Sequence, residues 1–288
     1  MLTLQAPAKL NLTLEVLAKR QDGFHEIRSV VQAIALCDSL RFGLSQKVEF
    51  SCDDPAWAAE KSLVSKAVNL VRETAGCPHG VMVSVNKRIP LVSGLGGDSS
   101  DAAATLRGLN ELWGLGLSQP ELVRLATQLG SDVAFFVYGG TALAEGRGET
   151  VTPLPPLAHM WVVLVVPDVP RLPGKTQKLY ASLKASHYTD GQITENFVKA
   201  LKEDRGFKPS MLFNTFENVA FDRFFGLKVY KEHFIKLGAP HIHLAGSGPA
   251  LFTMLEDKAQ AEDLYTRCKQ QGMETYLADT LPAIDQVE

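Results

Sequence analysis

The chain has 288 residues, of which 45% are hydrophobic and 21% charged, with a formal net charge of −3 from 29 basic and 32 acidic residues. That balance fits a water-soluble protein with a full core, long enough for one large domain or two small ones, and its slight acidity argues against a nucleic-acid partner. No apolar run approaches the ~20 residues needed to span a bilayer. Met1 leads straight into Leu-Thr-Leu-Gln without the basic and apolar regions of a signal peptide, so a cytoplasmic protein with no membrane partner is expected.

In chain order, Leu10, Leu12, Leu14 and Val16 alternate with Asn11, Thr13 and Glu15, the period of an edge or half-buried strand. Lys9 and Asn11 open it; a lysine at a strand end is ordinarily a solvated charge. Asp22-Gly23-Phe24-His25-Glu26 reads as a turn into a second apolar run over 29–36. His25 there is either a plain surface histidine or, with Phe24, a pair that grips a base by ring and hydrogen bond. Leu63, Ala67, Leu70 and Val71 predict a helix over 61–74.

Val81, Val83 and Val85 share one face of a strand that leads into Pro90-Leu-Val-Ser-Gly-Leu-Gly-Gly-Asp-Ser-Ser-Asp101 and then a helical stripe of Ala102, Ala103, Leu106 and Leu109. Glycines admit positive φ and close approach of a ligand. A helix start offers unpaired N–H groups and partial positive charge, so strand, glycine loop and helix together suit phosphate. Taken alone, the loop reads equally as a turn with a helix cap. It is not the dinucleotide fingerprint, because Ser99 stands where the third glycine belongs. Gly174-Lys175-Thr176 mimics the end of a Walker A loop, but Val169 stands where a glycine is required, and Pro167, Pro170 and Pro173 make the segment stiff.

Pro120 opens the next helix, with Leu122, Leu125, Ala126 and Leu129 inward and Gly130 as its stop. Residues 133–138 and 141–144 read as a strand pair around Gly139-Gly140. Asp132 then falls where a helix ends and a strand begins, the ordinary place of a turn residue. Residues 152–157, Thr-Pro-Leu-Pro-Pro-Leu, form the clearest linker and divide the chain into 1–156 and 157–288. Beyond it come a buried strand over 161–166 and helices over 176–184, 196–202, 216–225 and 229–237. A hairpin over 241–255 turns on Gly246-Ser247-Gly248-Pro249, followed by a helix over 259–271 and a strand over 273–277. Strands and helices mix without strict βαβ alternation, which predicts an α+β fold in two lobes. Cys37, Cys52, Cys77 and Cys268 form no C-x-x-C pair and read as buried thiols in a reducing compartment.

Taken together, Pro7-Ala8-Lys9-Leu10-Asn11, the glycine-serine loop, Gly130-Ser131-Asp132-Val133, Phe213-Asn214-x-Phe216-Glu217 and Gly246-Ser247-Gly248-Pro249 resemble the GHMP superfamily of small-molecule kinases, essentially end to end. The resemblance implies an N-terminal lobe like ribosomal protein S5 domain 2, which binds ATP, and a ferredoxin-like C-terminal lobe on the substrate side. It implies ATP and Mg²⁺ as cofactors, Asp132 as base and Lys9 beside it. The phosphates would meet Pro90, Gly94, Leu95, Gly96, Gly97, Asp98, Ser99 and Ser100. The substrate would meet Asn11, Phe24, His25, Thr176 and Tyr180, while Gly246, Ser247 and Gly248 shape a supporting loop. No metal ligand is assigned. The Asp-Gly-Phe-His element points, within the family, to diphosphocytidyl methylerythritol phosphorylated on its 2-hydroxyl in the non-mevalonate isoprenoid pathway. The alternatives are a homoserine or mevalonate type of kinase, or a non-catalytic nucleotide-binding module. A monomer or weak homodimer is expected. Asp98 departs from the usual Gly of the family, Phe24 from Tyr and Ala134 from Pro.

Overall fold

The computed structural model describes residues 1–170 and 172–282; Arg171 and the last six residues of the expected second lobe lie outside them. Strands β1 (Leu2–Asn11) and β2 (Thr13–Lys19) form one ribbon broken at Leu12, and β3 (His25–Ser45) runs back antiparallel to both. The register slips between Pro7 and Ala8, at a residue that has no N–H to give the ladder. Residues 6–16 are all buried, so this is not the half-buried edge that the alternation predicts. Both faces are covered: Ala8, Leu10 and Leu12 enter an apolar core, while Lys9, Asn11, Thr13 and Glu15 are buried polar groups.

The first half continues through β4 (Val48–Cys52), α1 (Leu63–Ala75), β5 (Gly80–Asn86), α2 (Gly97–Leu112), α3 (Gln119–Leu129), α4 (Ser131–Tyr138), β6 (Thr141–Gly146) and β7 (Thr150–Pro153). Residues 133–138, expected as a strand, belong to helix α4. Val133, Ala134, Phe135, Phe136 and Val137 are all buried there, and a helix enclosed on every side carries no polar face to reveal its period. Asp132 therefore sits in the first turn of a helix rather than in a turn between helix and strand. Ser118 and Glu121 form a capping box at α3, which fixes that helix just before Pro120. Helices α1 to α4 share one core with the sheet, where Gly108 of α2 lies so close to Phe42 that a Cβ would come 2.7 Å from its ring.

The second half comprises β8 (Trp161–Val166), α5 (Lys175–Ser182), α6 (Gln192–Lys202), β9 (Phe213–Asn214), α7 (Glu217–Arg223), α8 (Leu227–Lys236), β10 (His243–Leu244), β11 (Leu251–Leu255), α9 (Lys258–Gln270) and β12 (Glu274–Asp279). Its sheet runs β10-β11-β8-β12, all antiparallel, the order of a split βαββαβ unit with α5 to α8 inserted after its first strand. Strand β8 is buried on both faces. Val162 and Leu164 join the core of Leu10 and Leu12, while Val163 and Val165 meet Phe234 and Leu264. The halves are also stitched by backbone. β9 pairs in parallel with β2, Ile34 bridges Thr280, and Leu281 N–H donates to Ala33 O at 2.9 Å. No helix among the described residues is long and apolar enough to cross a membrane.

Candidate active site

A cavity of about 1010 Å³ opens among the end of β1, the turn before β3, the starts of α2, α4 and α5, and the loop between β10 and β11. Its volume matches the top of the range for a ligand site and leaves room for two small molecules. Lys9 and Asn11, two apart on β1, point to the same face. The Lys9 side chain is 6% exposed; its Nζ lies 3.5 Å from Asp132 Oδ2 and donates to Asn11 Oδ1 at 2.6 Å. Asn11 Nδ2 donates to Ser29 Oγ at 2.7 Å, and that hydroxyl donates to Thr13 O at 2.5 Å. The Asp132 side chain is 50% exposed, so the lysine is fixed within protein while the carboxylate faces the cavity.

The glycine loop lies against this pair. Gly94 and Gly96 take φ of 95° and 77°, and Gly96 caps α2. A Cβ on Gly96 would lie 2.9 Å from the Phe136 ring and 3.1 Å from Lys9 Cγ, so only glycine fits. Among the described residues the amides of Gly97, Asp98 and Ser99 have no protein partner, as expected of the first N–H groups of a helix. Ser100 N–H is already used by Gly96 O at 2.9 Å. Pro90, Gly94, Gly96, Gly97, Asp98 and Ser99 line the cavity. Leu95 and Ser100 do not: the Leu95 side chain fills the core below, where its carbonyl accepts from Lys9 N–H at 2.9 Å, and Ser100 is buried with an unpartnered Oγ. Asp98 is exposed at the rim, where the helix N-terminus favours its charge.

A buried ion cluster braces the loop from beneath. Lys87 Nζ lies 2.5 Å from Asp38 Oδ2 and 2.8 Å from Asp101 Oδ2, and Asp38 Oδ1 accepts from the amides of Arg88 and Ile89 at 2.6 and 2.8 Å. Burial alone would lower the Lys87 ammonium, but the two carboxylates outweigh it and hold it above its ordinary value. Burial pushes the Asp101 carboxyl above its ordinary value, and Lys87 pulls it back down.

The opposite wall is aromatic. His25 stacks on Tyr180 with ring centroids 4.5 Å and planes 16° apart, and Phe216 meets Tyr180 edge-on at 4.8 Å. Burial, then the charge of Lys19, keeps the His25 pKa below its ordinary value, so the ring is neutral near pH 7 with one donor and one acceptor nitrogen. Burial, then Asp132, pushes the Tyr180 phenol up to about 12. Phe24 is 54% exposed, with the Arg147 guanidinium 4.9 Å above its ring. Thr176 Oγ1 lies 3.0 Å from Ser247 Oγ, joining α5 to the loop at 246–249. Gly246 and Ser247 line the cavity, whereas Gly248 turns away from it, packed on Leu244.

Residues that the sequence reading left without a role also shape the site. Lys19, Lys87, Arg147 and Lys175 line the cavity. Asn214 Nδ2 braces the loop by donating to Leu244 O at 2.9 Å and Gly246 O at 2.8 Å. The Gly-Lys-Thr triplet and the Phe-Asn-x-Phe-Glu run were the visible signals for Lys175 and Asn214.

Comparison with known proteins places the whole chain. The GHMP kinases N terminal domain matches residues 62–140. A 4-diphosphocytidyl-2-C-methyl-D-erythritol kinase from Dehalococcoides mccartyi is 51% identical over 99% of this chain and all of its own length. One from a Geobacillus species is 36% identical over 92% of this chain and 91% of its own. A crystal structure of a 4-(cytidine 5'-diphospho)-2C-methyl-D-erythritol kinase superposes with a TM-score of 0.82 at 30% identity, covering 97% of this chain and 99% of that one. A homoserine kinase from Cytophaga hutchinsonii shares the fold, with a TM-score of 0.75 at 20% identity over 98% of this chain and 94% of its own. With relatives of this identity matched along nearly its whole length, the chain belongs to the GHMP kinases and, within them, to the 4-diphosphocytidyl-2-C-methyl-D-erythritol kinase family.

Proposed function

We propose that the chain transfers the γ-phosphoryl group of ATP to the 2-hydroxyl of 4-diphosphocytidyl-2-C-methyl-D-erythritol, with Asp132 as general base and Lys9 as its partner. The observation that carries these roles is the 3.5 Å contact between Lys9 Nζ and Asp132 Oδ2, set between free loop amides and an aromatic wall. In the transfer, the acceptor oxygen bonds to the γ-phosphorus as the bond to the bridging oxygen of the β-phosphate breaks. The hydroxyl proton passes to Asp132, and ADP leaves.

Phosphoryl transfer depends on alignment and charge neutralisation more than on covalent help. The amides of Gly97, Asp98 and Ser99 and the α2 N-terminus hold phosphate oxygens. Lys9, oriented by Asn11, holds the Asp132 carboxylate in place and sets a positive charge where negative charge grows. Neutral His25 reads the edge of the cytosine, and Phe24 covers its ring. A homoserine or mevalonate type of acceptor has no ring for this aromatic wall to meet.

Mg²⁺ takes hard oxygen donors, commonly one or two carboxylates together with the substrate's phosphates. The Asp98 carboxylate and the Ser99 hydroxyl, both lining the cavity, fit that chemistry. Among the described residues no cluster of three or more His, Cys, Asp or Glu side chains could cage a metal alone. Asp98 and Ser99 would therefore hold the ion together with the nucleotide, and it would neutralise phosphate charge there. The test is ADP release with Mg-ATP and a panel of diphosphocytidyl methylerythritol, homoserine and mevalonate, using Asp132→Asn as control. Turnover of the diphosphocytidyl compound alone, lost in the variant, is expected; turnover that survives Asp132→Asn removes Asp132 from its role.

A further inference from the structure

Gly174-Lys175-Thr176 is no Walker loop, yet its lysine reaches the phosphate loop that this fold does use. Lys175, the first residue of α5, donates from Nζ to Val92 O at 2.8 Å and to Gly248 O. Val92 is a non-glycine residue at φ 58°, just before the Ser-Gly-Leu-Gly turn. Such a conformation persists only where its surroundings hold it. Gly248 belongs to the loop that Gly94 packs against, and Ala250 N–H donates to Ser93 O at 3.1 Å. One ammonium thus joins three segments: the entry to the phosphate loop, the β10–β11 loop and α5.

Its charge is also unusual. Lys9 pairs with Asp132, Lys87 with Asp38 and Asp101, and Arg147 with Glu149. Among the described residues no carboxylate pairs with Lys175, whose partners are neutral carbonyls. We infer that Lys175 is a positioning residue for the nucleotide phosphates: its ammonium clamps the phosphate loop to the β10–β11 loop and leaves an uncompensated positive charge beside both. The inference rests on the kinase reading proposed above. Burial, then repulsion from Lys9, brings the amine down to about 8. Of the other titratable groups nearby, Asp98 at the start of α2 and Lys178 on α5 are exposed, Tyr180 is a phenol held protonated, the loop at 246–249 has none, and Asp54, Lys87, Arg88, Asp168, Glu274 and Tyr276 line an adjoining cavity that Lys175 also borders.

The test uses the full chain with a non-hydrolysable imido analogue of ATP plus Mg²⁺, and CDP as the probe of the base end. Affinities are titrated for the wild type, Lys175→Met, Lys175→Gln and Lys175→Arg, with a melting curve for each. Removing the charge is expected to weaken the ATP analogue about tenfold or more, the scale of a charge-assisted hydrogen bond, while CDP stays within about twofold. Lys175→Arg should remain near wild type. Wild-type affinity for the analogue should fall from pH 7 to 9.5, whereas that of Lys175→Arg should not. Unchanged analogue affinity in the Met and Gln variants overturns the inference. So do equal losses for both probes, or an Arg variant as weak as Gln. If Lys175→Met does not fold, the Gln and Arg pair decides. None of these titrations needs turnover, so a wrong acceptor assignment would show in the ADP assay and leave this result standing.

Discussion

At the phosphate end of the cavity backbone packs on backbone, whereas at the base end side chains meet over an exposed turn. A Cβ on Gly94 would collide with Ala245 O, and one on Gly246 would lie 2.9 Å from Gly94 O. At the other end, a Cβ on Gly23 meets nothing within 4 Å; the turn is closed by Arg20 N–H to Phe24 O at 2.8 Å, and the pairs of Arg20 with Asp22 and Glu26 at 3.2 and 2.5 Å lie over it. Exposed pairs of this kind contribute little and are screened by salt. The phosphate end therefore admits a single backbone path, while the base end can be retuned one side chain at a time. Phe24 in place of the family's usual Tyr belongs to that second kind of change: it keeps the ring face and drops a hydroxyl.

The largest effect should come where the two ends meet. Asp132→Asn should lower kcat by about 10²–10⁴-fold, the usual span of general-base help, with little change in the affinity of either ligand. Steady-state rates beside CDP and ATP-analogue titrations check it, and a loss carried by affinity alone would sink the assignment. The contrast itself is broken or upheld by two alanine variants. Gly94→Ala combines left-handed strain with overpacking that typically costs about 1–3 kcal/mol, and nucleotide affinity should fall with melting temperature. Gly23→Ala carries left-handed strain of about 1–2 kcal/mol without a clash and should leave nucleotide affinity alone. Equal nucleotide losses in both would erase the distinction between the two ends.

A smaller effect isolates the base end. His25→Ala removes a stack and a ring hydrogen bond, together worth about 1–2 kcal/mol, so KM for the diphosphocytidyl substrate should rise about tenfold while KM for ATP holds. The least effect is one of pH. Because the His25 pKa lies below its ordinary value, the neutral ring persists as pH falls into the usual histidine range, and the acceptor KM should rise only below it. Lys19→Gln removes a charge that disfavours the imidazolium, so the rise should move to higher pH. An acceptor KM that ignores pH in both proteins would remove His25 from base recognition.

The same contrast explains what could be read beforehand. The glycine turn and the helix after it were legible because their constraints are local: Gly94 and Gly96 take left-handed φ, and α2 follows at once. Lys9 and Asn11 were placed by the two-residue period of β1. Helix α4 was not legible, because residues 133–137 are buried on every side and their apolar run carries no period. Nor were Leu95 and Ser100 separable from their neighbours in the loop, since which of them faces the core depends on how α2 packs. The stack of His25 on Tyr180 joins residues far apart in the chain and exists only once α5 docks. The Lys87 cluster likewise gathers Asp38 and Asp101 from separate elements, and no local pattern announces it.

One contact has a consequence for the growing chain. Gly94 finds its wall at Ala245, and Ser93 O its donor at Ala250, both on a loop made long after the phosphate loop itself. At synthesis rates of about 5–20 residues per second, the roughly 150 residues between them take about 8–30 s to emerge. Throughout that interval the nascent chain carries α2 and its glycines without the surface that shapes them. The loop thus takes its final shape only near completion of the polypeptide, and a chain released early, at the end of the first half, would carry the loop's sequence without the wall that shapes it.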